Sequence, residues 1–217
     1  MKTDIDIRRD VEAELKWSPE IDETDIAVKV TNGIVTLTGY VPSYSDKYRA
    51  EAAVRHVAGV AGVADDLAVR LALGESPTDP EIARETLEAL KRELPFVWQN
   101  IRPIVREGRV ALEGSVEWHF QREHAERAVR GVRGVVSVRN SVRLTPRLAP
   151  TELKRQIEEA FQRSAAVDAE RITVETQGAE VSLRGEVRSW AERDQVERTA
   201  WSAPGVINVR NDITIRT

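Results

Sequence analysis

The sequence predicts an α+β protein of three tandem αββαβ modules, each a small mixed three-stranded sheet with two helices on one face. Three observations predict it. A ten-residue segment occurs three times at fixed offsets, the apolar residues of each unit step first by four and then by two, and glycines fall at matching places in every unit. Repeats of this kind mark one supersecondary unit copied along a chain.

The segment Asn32–Val41 (NGIVTLTGYV) shifts by 75 residues onto Glu107–Val116 (EGRVALEGSV), and by a further 71 onto Gly178–Val187 (GAEVSLRGEV). The same offsets carry Gly59-Val60 onto Gly134-Val135 and Gly205-Val206, and Ile7 and Leu15 onto Ile82 and Leu90, then Leu153 and Phe161. No insertion is needed inside a unit. The joints, 74–79 and 145–150, are short and rich in Gly and Pro, as segments between packed modules are. The predicted modules span 1–73, 78–145 and 149–217.

Each unit opens with a helix. Ile7, Val11 and Leu15, like Leu153, Ile157 and Phe161, recur at four-residue steps and form one apolar stripe. Asp79-Pro80-Glu81 reads as a helix start, with Asp79 as the capping side chain and proline at the first helical position. Two strands follow around a turn, for which Asn32-Gly33 is the strongest local signal. In the second strand Val35, Leu37 and Val41 share parity, as do Val110, Leu112, Val116 and Val181, Leu183, Val187, so one face is buried. Gly39, Gly114 and Gly185 lie on that face, where a missing side chain permits close approach of a helix backbone or a bulge; they are packing devices and not a phosphate loop. A second helix carries the stripe Ala50, Val54, Val57 and its counterparts, and Gly59, Gly134 and Gly205 are predicted to end it with a left-handed cap. A third strand starts near Val60. Pro103 cannot donate to a ladder, so the first strand is an edge. The second is then central, and the third returns beside it through a right-handed crossover.

At this point the residues resemble the BON family (bacterial OsmY and nodulation domain). The resemblance rests on Val35-Thr36-Leu37-Thr38-Gly39-Tyr40-Val41, on Gly134-Val135-Val136-Ser137-Val138-Arg139-Asn140, and on their recurrence in three copies. It implies the same helix-strand-strand-helix-strand domain. It also implies phospholipid or membrane-surface association under envelope or osmotic stress; the residues themselves show no nucleophile elbow, phosphate loop or HExxH, so neither enzymatic activity nor a cofactor is expected. Family members are often periplasmic. The N-terminus, Met1–Asp10, has charges where a signal peptide needs its apolar segment, so the cytoplasm is the expected compartment and the periplasm the alternative the resemblance implies.

Composition narrows the chemistry. Lys+Arg number 32 against 36 Asp+Glu, for a net charge of -4, and there is no cysteine. Disulfides, thiolate nucleophiles and cysteine zinc sites are therefore excluded. No apolar run reaches the roughly 20 residues of a membrane span. The three histidines His56, His119 and His124 do not recur between units and read as surface residues, and no catalytic or metal constellation is expected. Nucleic-acid binding is not expected of an acidic chain without a repeated aromatic-basic platform. Trp17, Trp98, Trp190 and Trp201 occupy different places in their units, and some are expected to fill gaps between them.

Charge differs between units. Residues 1–76 carry -5, residues 77–148 carry +3 and residues 149–217 carry -2. An anionic phospholipid surface would therefore meet the middle unit, and Trp118, Arg122, Arg127, Arg130 and Arg133 are the candidate headgroup contacts, indole beside arginine being suited to a membrane interface. Glu123 and Glu126 stand four residues before Arg127 and Arg130, so part of this set also reads as a solvated, ion-paired helix face. Asp65, Asn140 and Asn211 interrupt the third strand at one repeated position. They read as a polar pocket or as side chains satisfying backbone, and the second reading is the expectation. The alternative function is a protein-interaction scaffold or self-associating module, using the sheet edges and uncovered faces. A third reading is small-ligand binding between adjacent units.

Overall fold

The computed structural model describes residues 2–71, 77–146, 148–164 and 168–215. Residues 74–76 of the first predicted joint and Arg147 of the second lie outside the described residues. Along the chain run α1 (Asp4–Trp17), β1 (Ile26–Thr31), β2 (Ile34–Val41), α2 (Tyr44–Arg55) and β3 (Gly62–Val69). The pattern repeats as α3 (Asp79–Glu93), β4 (Ile101–Arg106), β5 (Arg109–Val116), α4 (His119–Arg130) and β6 (Ser137–Leu144). The third pass is α5 (Pro150–Arg163), β7 (Ile172–Gln177), β8 (Glu180–Val187), α6 (Trp190–Trp201) and β9 (Asn208–Ile215). The residues group into two compact units, Met1–Leu90 with Pro103–Ala111 and Arg127–Arg139, and Lys91–Arg102 with Leu112–Glu126 and Asn140–Thr217. The first repeat thus lies in one unit, the third in the other, and the middle repeat contributes to both.

The described residues form three separate three-stranded sheets, each with the second strand of its repeat in the centre. β1 pairs antiparallel with β2, and β3 parallel with β2; β7, β8 and β9 do the same. Pro103 is on β4, an edge strand, where its missing N–H leaves no ladder bond unmade. In the first repeat Ile7, Val11 and Leu15 of α1 and Ala50 and Val54 of α2 pack with Val35, Leu37 and Val41 of β2. In the third, Leu153, Ile157 and Phe161 join Val196, Ala200 and the β8 residues Val181, Leu183 and Val187. Both helices of a repeat therefore bury their stripes on one sheet face.

The strand glycines have a more local cause than close approach of a helix. Gly185 has φ +138°, and a Cβ there would sit 2.0 Å from the carbonyl oxygen of Arg171; at Gly39 and Gly114 the obstructing oxygens are those of Asp25 and Asn100, at 1.9 Å. The obstruction is the backbone just before the neighbouring first strand. In the first repeat that carbonyl accepts the N–H of Tyr40 at 3.1 Å, so the chain bends at the glycine and the two strands close up.

The helix ends also differ from expectation. α2 stops at Arg55 with His56 as its cap in the right-handed region, and the left-handed residue, Gly59 at φ +100°, comes three positions after that cap. Glycine shapes the following turn instead of capping the helix. At the start of α3 it is Thr78 whose N–H and hydroxyl are both accepted by the Glu81 carboxylate at 2.8 Å. Asp79 does not cap. Its carboxylate oxygens accept the N–H groups of Glu107 and Gly108, at 2.8 and 2.9 Å. Asp4 holds Asn32 and Gly33 the same way, at 2.8 and 2.9 Å. Asn32 and Glu107 have φ of 52° and 51°, so each acid fastens a left-handed hairpin turn to the first helix.

Candidate functional surface

The candidate residues of the middle module lie on and around α4. Its stripe buries Ala125 and Val129, which fixes the directions left for its polar side chains. Arg127 and, in the turn beyond, Arg133 are exposed, whereas Arg122 and Arg130 are half-buried. The Arg130 guanidinium lies 3.5 Å from the ring centre of Tyr48, a cation–π contact that directs it onto an aromatic face.

Arg122 occupies the place taken by Lys47 and Arg193 in the other repeats. Lys47 donates to the carbonyl of Leu67 at 2.6 Å and faces the Asp65 carboxylate at 3.4 Å. Arg193 donates to the carbonyls of Ile213 and Asn211, at 3.2 and 2.9 Å. Those two cations fasten the second helix to the third strand. In the middle repeat the Asn140 amide does this, donating to the Arg122 carbonyl at 2.8 Å and to the Glu126 carboxylate at 3.3 Å. The Arg122 guanidinium then borders a shallow depression with Ser141 and Arg143.

The repeated polar position on the third strand serves the backbone. Asp65, Asn140 and Asn211 each accept the N–H two residues on, from Leu67, Val142 and Ile213, at 3.1, 3.2 and 3.2 Å. This local ring of Asx type, together with the helix contacts above, occupies the groups a pocket would have needed.

Trp118 belongs to a different setting from the arginines. With His119, Phe120 and Trp201 it lines a cleft of about 680 Å³ whose remaining walls include Glu123, Asp194 and Glu197 against Arg198. His119 stacks on Trp201 with ring centres 4.0 Å apart. It is not the surface residue the sequence suggested: its side chain is 21% exposed. Burial, together with the charge of Arg122, holds its pKa below the ordinary 6.5, against the opposing pull of Glu123. His56 is exposed, and His124 meets the Phe120 ring edge-on at 5.7 Å. Among the described residues no group of three His, Asp or Glu side chains is placed to hold a metal ion, and no helix is long and apolar enough to cross a membrane. Trp201 stacks on His119 at the edge of this cleft, whereas Trp17 and Trp190 are 84% and 68% exposed.

Two features of the structure escaped sequence reasoning. Phe120, 50% exposed beside Trp118, has no counterpart in the other repeats. The paired acids Asp4 and Asp79 were visible as a repeat at the 75-residue offset, and their distance from the hairpins in sequence hid their role.

Comparison with known proteins agrees with the repeat. The family model of the BON domain matches three times, over residues 3–70, 78–146 and 151–217. The chain is 32% identical over 141 residues to the osmotically-inducible protein Y of Escherichia coli (strain K12), covering 61% of this chain and 68% of the relative. Two solved structures of CdsD, a structural protein of the type III secretion system of Chlamydia trachomatis, match at 15% and 16% identity, both with a TM-score of 0.29. They cover 100% and 96% of this chain and 100% and 91% of theirs, with scores too low to carry a structural likeness. Fold, repeat and sequence match converge, and the chain belongs to the BON domain family, with three copies of the domain.

Proposed function

We propose that this protein associates, without catalysis, with anionic phospholipid surfaces under osmotic stress, and that the middle module makes the contact. The name of its relative, an osmotically inducible protein, supports the setting. The observation that carries the reading is the charge of residues 77–148, +3 between neighbours of -5 and -2, with Arg127 and Arg133 exposed at one end of α4. Arg122 adds a guanidinium at the shallow depression, whereas Trp118 and Phe120 line the acidic cleft and are not part of the contact. Arg130 is held by Tyr48 and contributes charge without reaching outward.

Basic side chains near an anionic leaflet contribute about 1 kcal/mol each. Removing both exposed arginines therefore weakens binding by about 2 kcal/mol, roughly thirtyfold. The test is co-sedimentation of the full chain with phosphatidylglycerol-containing and pure phosphatidylcholine vesicles at low and high salt. Expected are binding to the anionic vesicles alone, its loss at high salt, and a roughly thirtyfold weakening in Arg127→Gln/Arg133→Gln. Equal binding to both vesicle types, or none at low salt, would overturn the proposal.

A further inference from the structure

The second helices of the repeats meet end to start. The offsets relate Tyr44, His119 and Trp190 at the first turn, Tyr48, Glu123 and Asp194 one turn on, and Arg55, Arg130 and Trp201 at the last residue. Within the first compact unit the last-turn Arg130 lies over Tyr48, at 3.5 Å. Within the second, the last-turn Trp201 stacks on His119 at 4.0 Å and shares a cleft with Glu123. Both contacts thus run from the helix end of one repeat to the first two turns of the helix in the repeat before it, through Tyr48 in one case and His119 in the other. A main-chain bond accompanies the second, Gly205 N–H donating to the Glu117 carbonyl at 2.7 Å.

Two halves of a third such contact stand exposed. One is Arg55, the last residue of α2, whose side chain is 65% exposed and, among the described residues, pairs with its helix neighbour Glu51. The other is the start of α6, where Trp190 is 68% exposed with the Arg193 guanidinium 5.6 Å from its ring centre, and Asp194 is exposed at the wall of the His119–Trp201 cleft. Their chemistry is complementary: a guanidinium suits both the indole face and the carboxylate.

We propose that a second copy of this chain docks head to tail on this surface, its Arg55 set against Trp190 and Asp194. The contact is heterologous, so one copy offers Trp190–Asp194 while the next offers Arg55, and association continues unless a ring closes. Inside the chain short joints hold the partners together. Between copies that tether is missing, and association requires protein at high concentration, up to about the millimolar level a short linker supplies.

Sedimentation velocity on the full chain without lipid tests this from about 10 μM to about 1 mM. The weight-average sedimentation coefficient is expected to rise with concentration. Arg55→Glu and Asp194→Arg should each weaken association about tenfold, and the double variant Arg55→Glu/Asp194→Arg should restore most of it, as coupled neighbours do. Trp190→Ala should weaken it by a similar factor. All three side chains are exposed, and unchanged circular dichroism spectra will show that the variants fold. A single monomer coefficient through 1 mM, single variants that associate like the wild type, or a double variant no better than its parents would overturn the proposal. No lipid is present, so failure here leaves the lipid reading untouched.

Discussion

Replacing Gly185 by alanine separates two kinds of backbone constraint when set beside two other glycines. At Gly185 the φ of +138° disfavours any side chain, and the new methyl would lie 2.0 Å from the Arg171 carbonyl oxygen, a backbone atom that moves only if the strand moves. The conformational strain is about 1–3 kcal/mol and the overpacking about 1–3 kcal/mol. A smaller gain, about 0.4–1 kcal/mol, comes from stiffening the unfolded chain. We expect Gly185→Ala to destabilise the third module by about 3 kcal/mol, or about 12–24 °C for a domain of that size. Gly178 has φ +62° with nothing within 4 Å of the added methyl, so its alanine variant should show strain alone, about 1 kcal/mol. Gly62 has neither constraint, and Gly62→Ala should be neutral or stabilising by up to about 1 kcal/mol. Urea unfolding followed by circular dichroism gives the order, and hydrogen exchange over β8 locates the loss. If Gly185→Ala falls within about 0.5 kcal/mol of Gly178→Ala, the carbonyl obstruction is not what the glycine is for.

Three further outcomes follow from particular residues. Thr86 is fully buried with its hydroxyl lacking a hydrogen-bond partner, at the place where the other repeats have Val11 and Ile157; Thr86→Val should raise stability by about 1 kcal/mol in urea titrations. Asp79→Ala frees two hairpin N–H groups and should cost about 1–2 kcal/mol, with faster hydrogen exchange at Glu107 and Gly108. His119 should titrate below 6.5 by NMR, because burial disfavours its imidazolium. A base with a lowered folded pKa adds stability above its unfolded value, and that stability is lost as pH falls through and below 6.5; Trp201→Ala should move the titration back toward 6.5.

The repeat made most of the fold readable, because each helix stripe and strand parity could be checked against two other copies. Val35, Val110 and Val181 could not all have kept inward parity by accident, and Pro103 placed the first strand at an edge without any tertiary information. The sequence-level errors share a physical origin. Asp79 looked like a cap because it precedes a proline, yet the hairpin it holds is 28 residues away. His119 looked exposed because its burial depends on Trp201, 82 residues along the chain. Local pattern shows which face of an element is apolar, but not which distant group fills a given place against it. The candidate surface was legible only in part for the same reason. Charge singled out the middle module as the candidate, but it took the geometry to separate Arg127 and Arg133, which face solvent, from Arg130, which faces Tyr48, and from Trp118, which lines an acidic cleft.

The repeat also supplies its own control for the functional reading. Hydrogen exchange of the full chain, with and without phosphatidylglycerol-rich vesicles, compares α4 with the equivalent helices α2 and α6 in one sample. Slowed exchange on vesicle binding should appear over residues 119–133 and be absent over 44–55 and 190–201. Equal slowing in all three helices, or slowing confined to α2 or α6, would contradict a lipid contact made by the middle module.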